Sequence, residues 1–200
     1  MEDLDTEDSI ITKESIDRVP CAKILESDLN KVIQRACKSV LDESMTRTDG
    51  YKYDEVCKIL DINKRTIVHA ILGYNGKIGL VYDSDYFEIT TYSSRNSLIM
   101  IHNHPNNKNL SINDLFTLLT TPSLLGIVAV GNLGGVYYAI KSSRDQNFYT
   151  KLGEMISKIA SRNKGSKIID RMTNKILNEG TKYKLKIGYS RRRSLNDSNK

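Results

Sequence analysis

Long apolar runs are missing from this chain. No stretch of 18 or more apolar residues occurs, which excludes a transmembrane helix. Cysteine is scarce too: Cys21, Cys37 and Cys57 are odd in number and lack CxxC spacing. That excludes a closed disulfide framework and a cysteine zinc knuckle, and it points to a reducing cytosol. The amino-terminal MEDLDTEDSI is acidic and lacks the basic-then-apolar order of a signal peptide, so a cytoplasmic location is expected. Neither GxGxxG nor GxxxxGK[ST] is present, and Gly131-Asn132-Leu133-Gly134-Gly135 reads as a hairpin turn, not a phosphate loop. The eleven tyrosines are scattered, without the interleaving that base stacking needs. No internal repeat occurs.

What is present fits one domain with extensions, or at most two small ones, in 200 residues. An apolar fraction of 39% suffices for a core of about 100 to 130 residues. The net charge of +6 is unevenly spread. Residues 1 to 30 hold nine acidic and three basic side chains, whereas residues 141 to 200 hold sixteen Lys/Arg against five Asp/Glu. Such a basic end either presents a solvated helical face or contacts a polyanion, including nucleic acid, through its lysines and arginines.

Residues 1 to 26 are acidic and lack periodicity, so disorder is expected there. Leu29, Val32, Ile33, Ala36, Cys37, Val40 and Leu41 follow the helical template, with Ser27 or Asp28 as N-cap, giving a helical extension over 27 to 50 that ends near Gly50. Tyr51 to Leu60 fits a helix or a strand. Thr66 to Leu72 and Ile78 to Tyr82 flank Gly73-Tyr74-Asn75-Gly76, a strong hairpin signal, and Tyr86 to Tyr92 reads as a further strand. Ser97 to Ile101 is a strand, Ile112 to Leu119 a short helix ended by Thr121-Pro122, and Leu124 to Val130 and Val136 to Ile140 an antiparallel pair. Two amphipathic helices follow, one lined by Phe148, Leu152, Met155, Ile156 and Ile159, the other by Ile168, Ile169, Met172, Ile176 and Leu177. They form a basic helical extension over 142 to 186, and residues 187 to 200 read as a disordered basic tail. The order predicts an α+β domain with one mixed sheet and flanking helices.

The chemistry concentrates in Ile101-His102-Asn103-His104-Pro105. Two of the three histidines in the chain lie here. At the end of a strand, His102 and His104 point one way and Asn103 the other, and Pro105 stops the ladder. Asp114 then opens an apolar-periodic helix through Leu115, Leu118 and Leu119. Two imidazoles and one carboxylate leave a fourth position open, as a catalytic zinc site requires. Each part also has a plainer reading. A histidine pair can simply be satisfied by neighbours, and Ser111-x-x-Asp114 before an apolar run is a helix capping box. His69, alone in a strand, reads as a packed or surface residue.

HNHP followed by S-x-x-D resembles the JAMM/MPN metalloprotease signature, in wording closest to the bacterial RadC-like and the phage minor-head and toxin-associated JAB branches. The resemblance covers residues 51 to 141. It departs from the family in one respect, with five residues between Pro105 and Ser111 where six are usual. It implies a JAMM-like, cytidine-deaminase-like fold with helical extensions on both sides. It also implies Zn²⁺ held by His102, His104 and Asp114, Ser111 donating to the oxyanion, and hydrolysis of a peptide or isopeptide bond in a peptide or ubiquitin-like substrate. A glutamate would act as general base. Two alignments supply it. Glu55-Val56-Cys57-Lys58-Ile59-Leu60 resembles the family's E-x-C-G-x-L segment, with Lys58 in place of glycine. The other alignment, over Thr66 to Gly76, puts Ile67 or Val68 in that slot, leaving an impaired scaffold that binds a protein or nucleic acid unless Glu88 serves.

Overall fold

The computed structural model describes residues 10–47, 55–72, 82–104, 107–162 and 167–192. Its centre is a six-stranded mixed sheet in the order β2-β1-β3-β4-β5-β6. The strands are β1 (Val56–Asp61), β2 (Thr66–Leu72), β3 (Leu98–His104), β4 (Leu124–Gly131), β5 (Val136–Lys141) and β6 (Leu185–Ser190). Only β3 and β4 run parallel. They are joined by helix α4 (Ile112–Thr120), since a parallel pair needs a crossover. Every residue of β3 is buried, as expected for a central strand covered on both faces.

Alternation along β3 builds both layers. Ile99 and Ile101 face α2 (Ser27–Thr46) and pack with Ile33, Cys37, Val40 and Leu41. Leu98 and Met100 face α4 and pack with Leu115, Leu118 and Leu119. Helix α5 (Gln146–Arg162) adds Leu152 and Ile156 to this second core, and α6 (Lys167–Asn178) adds Ile176. A flat strand therefore carries His102 and His104 onto the α4 side and sends Asn103 to the α2 side.

Asn103 is fully buried, and its amide ties two elements together. Its Oδ1 accepts from Val56 N at 2.7 Å, and its Nδ2 donates to Ser44 Oγ at 3.1 Å. Replacing Asn103 with Leu strips the buried Val56 N–H of this acceptor. We expect a loss of about 2–3 kcal/mol, read as a lower denaturant midpoint at unchanged slope.

Several expectations from the sequence require correction. The segment ending at residue 26 is structured from Ile10 onward. Helix α1 (Lys13–Asp17) begins with a Thr12/Ser15 capping box, and Ile11, Ile16, Val19 and Ile24 are buried against the α2 layer. Four well-placed apolar side chains overcome the acidic composition. The helix expected over 27 to 50 is no appendage, because α2 covers one face of the sheet; residues 48–50 lie outside the described residues. The same holds for 142 to 186, whose helices complete the other face. The tail expected from 187 contributes β6, which pairs with β5 over six positions, from Val136↔Ser190 to Lys141↔Leu185. An available strand edge orders a sequence whose own propensity is weak. Residues 193–200 lie outside the described residues.

Tyr86 to Tyr92 is a helix, α3 (Ser84–Tyr92), not a strand. Asp83 caps it by accepting from Tyr86 N at 2.8 Å, and that local cap outweighs the β-favouring side chains. Thr66 to Leu72 is a strand as expected, paired with β1 through the turn at 62–65; the Gly73–Gly76 turn and Ile78–Val81 lie outside the described residues. The ambiguous Tyr51 to Leu60 segment is a strand from Val56. Among the described residues, no helix is long and apolar enough to cross a membrane.

Candidate metal centre

The end of β3 and the start of α4 meet as the strand-to-helix order requires. His102 Nε2 lies 3.3 Å from Asp114 Oδ1, and His104 Nε2 lies 3.3 Å from Asp114 Oδ2. One ligand atom from each of the three fits within 4.8 Å of the others, and among the described residues this is the group of three or more such side chains able to hold an ion. The imidazole rings sit edge to face with centroids 4.7 Å apart. His69 stands elsewhere, with Nε2 3.0 Å from Asp83 Oδ1.

The helix start aims the carboxylate. Ser111 is the N-cap of α4, and the capping box is complete. Ser111 Oγ accepts from Asp114 N at 3.1 Å, and Ser111 N donates to Asp114 Oδ2 at 2.6 Å. The Ser111 hydroxyl also donates to Asp114 Oδ2 at 2.7 Å. Its proton is thus directed at the carboxylate. For Ser111→Ala we expect a loss of about 1 kcal/mol, or about 2–4 °C in Tm for a chain of this size. A looser Asp114 should also weaken the affinity for an ion held at this group by about 10–100-fold, the usual effect of losing an outer-shell partner. A chelator-competition titration beside a melting curve separates the two effects.

The donor set suits a divalent ion. His102 is 1% exposed, and neither ring nitrogen has a hydrogen-bond partner. Buried polar atoms are rarely left so, and a ligand is one way to satisfy them. The Nε2–Asp114 approach is close without hydrogen-bond alignment. His104 Nδ1 lies 3.0 Å from the Lys108 carbonyl oxygen. With its proton there, the Nε2 lone pair faces Asp114, the second-shell arrangement common to metal-bound histidines.

Charges respond to this crowding. Burial pushes the Asp114 carboxyl up, but the two imidazoles outweigh it and hold it well below the usual carboxylate range. Burial pulls His104 down, but the Asp114 carboxylate and the Lys108 carbonyl outweigh it and leave the imidazole above its ordinary value.

Glu55 joins this group through sheet register. The β1–β3 pairing matches Cys57 with His102; continued by two residues, it sets Glu55 opposite His104, on the same face. Glu55 is buried, which pushes its carboxyl up; the neighbouring His102 and His104 pull it down, and Asp114 pushes it up. Neither Glu88 nor the residues that fill the glutamate slot in the other alignment converge here. Glu88 is exposed on α3, and Ile67 and Val68 lie on β2, separated from β3 by β1.

Tyr82 was not anticipated from the sequence. Its hydroxyl is 3.4 Å from Thr117 Oγ1 of α4. Burial raises that phenol; the Thr117 bond opposes it, and Cys57, Asp114 and Glu55 add to it. Its contact with α4, far along the chain, brings it near. No family model matches this chain, and neither does any curated protein or solved structure.

Proposed function

We propose that this chain is a JAMM-like zinc metallohydrolase that cleaves a peptide or isopeptide bond. One observation carries the reading: a buried His102 without hydrogen-bond partners sits beside His104 and Asp114, with a buried Glu55 next to them. His102, His104 and Asp114 would hold the ion, which when bound supplies Lewis acidity and an activated water. The residues around it have separable tasks. Glu55 takes a proton from the attacking water and returns it to the leaving amine. Burial suits Glu55 to this, since a base works best with a pKa drawn toward the operating pH. Ser111 holds Asp114 in position, and Asn103 fixes the start of β1 against the end of β3. A reducing cytosol suits the three free cysteines.

The test is elemental analysis of the purified protein, then cleavage of a panel of peptides and ubiquitin-like conjugates. Stoichiometric zinc and chelator-sensitive cleavage are expected. A well-folded protein that takes up no metal overturns the site. Zinc without hydrolysis, alongside nucleic-acid binding that weakens steeply with salt, identifies an inactive scaffold that uses its basic end.

A further inference from the structure

A row of paired residues runs across the sheet from the metal centre. Cys57 pairs with His102, His102 with Ala129, Ala129 with Tyr137, and Tyr137 with Tyr189, all on the α4 face. The next row on that face contains His104 and its partner Gly131. Gly131 N donates to Gly135 O at 2.9 Å, and continuing the β5–β6 register by one residue sets Gly135 opposite Arg191. From His104 outward, this row carries an imidazole, two bare backbones and a guanidinium.

Asn107 and Tyr189 close down onto the two glycines. A Cβ on Gly131 would come within 2.6 Å of Asn107 Oδ1, and one on Gly135 within 3.1 Å of the Tyr189 ring. Gly131 and Gly135 form the floor of a pocket of about 220 Å³, walled by Asn107, Tyr137 and Tyr189, with Arg191 and Arg192 at its rim. The walls are braced. Tyr137 and Tyr189 stack at 4.5 Å with 24° between planes, and the Tyr137 hydroxyl donates to Asn107 O at 3.1 Å. Both arginines are exposed, and among the described residues neither pairs with a carboxylate.

We propose that this pocket is a substrate subsite for an acidic side chain of a peptide, gripped by Arg191 and Arg192 while the rest of the peptide runs across the sheet edge toward the metal centre. The proposal rests on the hydrolase reading for the direction in which the peptide runs. A guanidinium presents a planar fork of donors that matches a carboxylate with two hydrogen bonds. The opposite end of this row holds Glu55, across from His104 in register, so the row is polarised and favours one orientation of an acidic peptide. Three strand spacings separate His104 from Arg191, about 14 Å, and an extended peptide rises about 3.3 Å per residue. The acidic residue therefore stands roughly four positions from the scissile bond. Nucleic acid fits less well, because the two tyrosines stack on each other and leave no gap for a base between them.

The experiment uses fluorescein-labelled Gly/Ala octapeptides, identical except for two adjacent Glu, Gln or Lys residues, titrated against the full zinc-loaded chain. The Glu peptide should bind at least tenfold more tightly than the Gln peptide, and the Lys peptide more weakly still. Arg191→Gln with Arg192→Gln should collapse that preference to under twofold; both side chains are exposed, so an unchanged melting curve verifies the fold. Equal binding of the three peptides overturns the subsite, as does a preference that survives in the double variant. Tighter binding of a labelled oligothymidine than of the Glu peptide overturns the peptide assignment. Hydrolysis is scored separately. Cleavage without a Glu preference leaves the hydrolase reading standing and removes the subsite, whereas a Glu preference without cleavage does the reverse.

Discussion

Glu55→Gln should lower the rate of amide hydrolysis by about 10²–10⁴-fold, the usual worth of a positioned general base, while leaving the zinc content unchanged. The substitution keeps the shape of the side chain and removes only its ability to hold a proton. The carboxylate is positioned by strand pairing, one register step beyond Val56, so its loss should leave the sheet intact. The pH profile carries a second signature. A base must be ionised, so the wild-type rate falls as pH drops through the pKa of Glu55. Burial pushes that carboxyl above its ordinary value, and His102 and His104 draw it back; a bound cation adds to the downward pull. With zinc held at saturating concentration at every pH, so that metal loss does not contribute, the acid limb belongs to Glu55 and should vanish from the residual activity of the Gln variant. Steady-state kinetics across pH, with metal analysis of both proteins, decides the matter. An active Glu55→Gln protein with the same acid limb removes Glu55 from the mechanism.

Asp114→Ala and His102→Ala should each lower zinc affinity by well over 100-fold. An outer-shell partner typically contributes 10–100-fold, and these residues would touch the ion directly. The two variants should differ in how affinity depends on pH. Protons compete with metal for imidazole, so wild-type affinity weakens as pH falls. The Asp114 carboxylate helps hold His104 above its ordinary pKa in the metal-free protein, so competition starts at a higher pH than for an unperturbed imidazole. Removing Asp114 removes that support and shifts the onset to lower pH, even as the affinity itself drops. Competition titrations with a chromophoric chelator at several pH values measure both effects. Affinity unchanged in either variant would place the metal elsewhere.

Legibility from sequence followed locality. The apolar run Leu98–Ile101, the alternation of His102, Asn103 and His104, and the Ser111–Asp114 cap are all set within a few residues of one another. Their arrangement in space repeats what the order implies. Helix α2 and the amphipathic faces of α5 and α6 were equally readable. Helix α3 was misread because its β-favouring residues concealed a cap supplied by Asp83, a contact made just outside the segment itself. The ends of the domain were misread because composition says nothing about which edge or face a segment will cover. Ile11, Ile16, Val19 and Ile24 acquire a purpose only once α2 and the sheet exist, and β6 only once β5 offers an open edge.

By itself, then, the sequence determined that a strand delivers two histidines to one face, that a capped helix follows with an aspartate in its first turn, and that the domain is α+β. Short-range sterics and capping fix those features wherever the segment sits. Tertiary structure alone decided that Glu55 sits beside the pair while Glu88 and Val68 do not, and that Tyr137, Tyr189 and Arg191 line one pocket. Those neighbours are joined by sheet register between strands far apart in the chain. Register is set by the packing of the whole sheet, which no window of sequence contains.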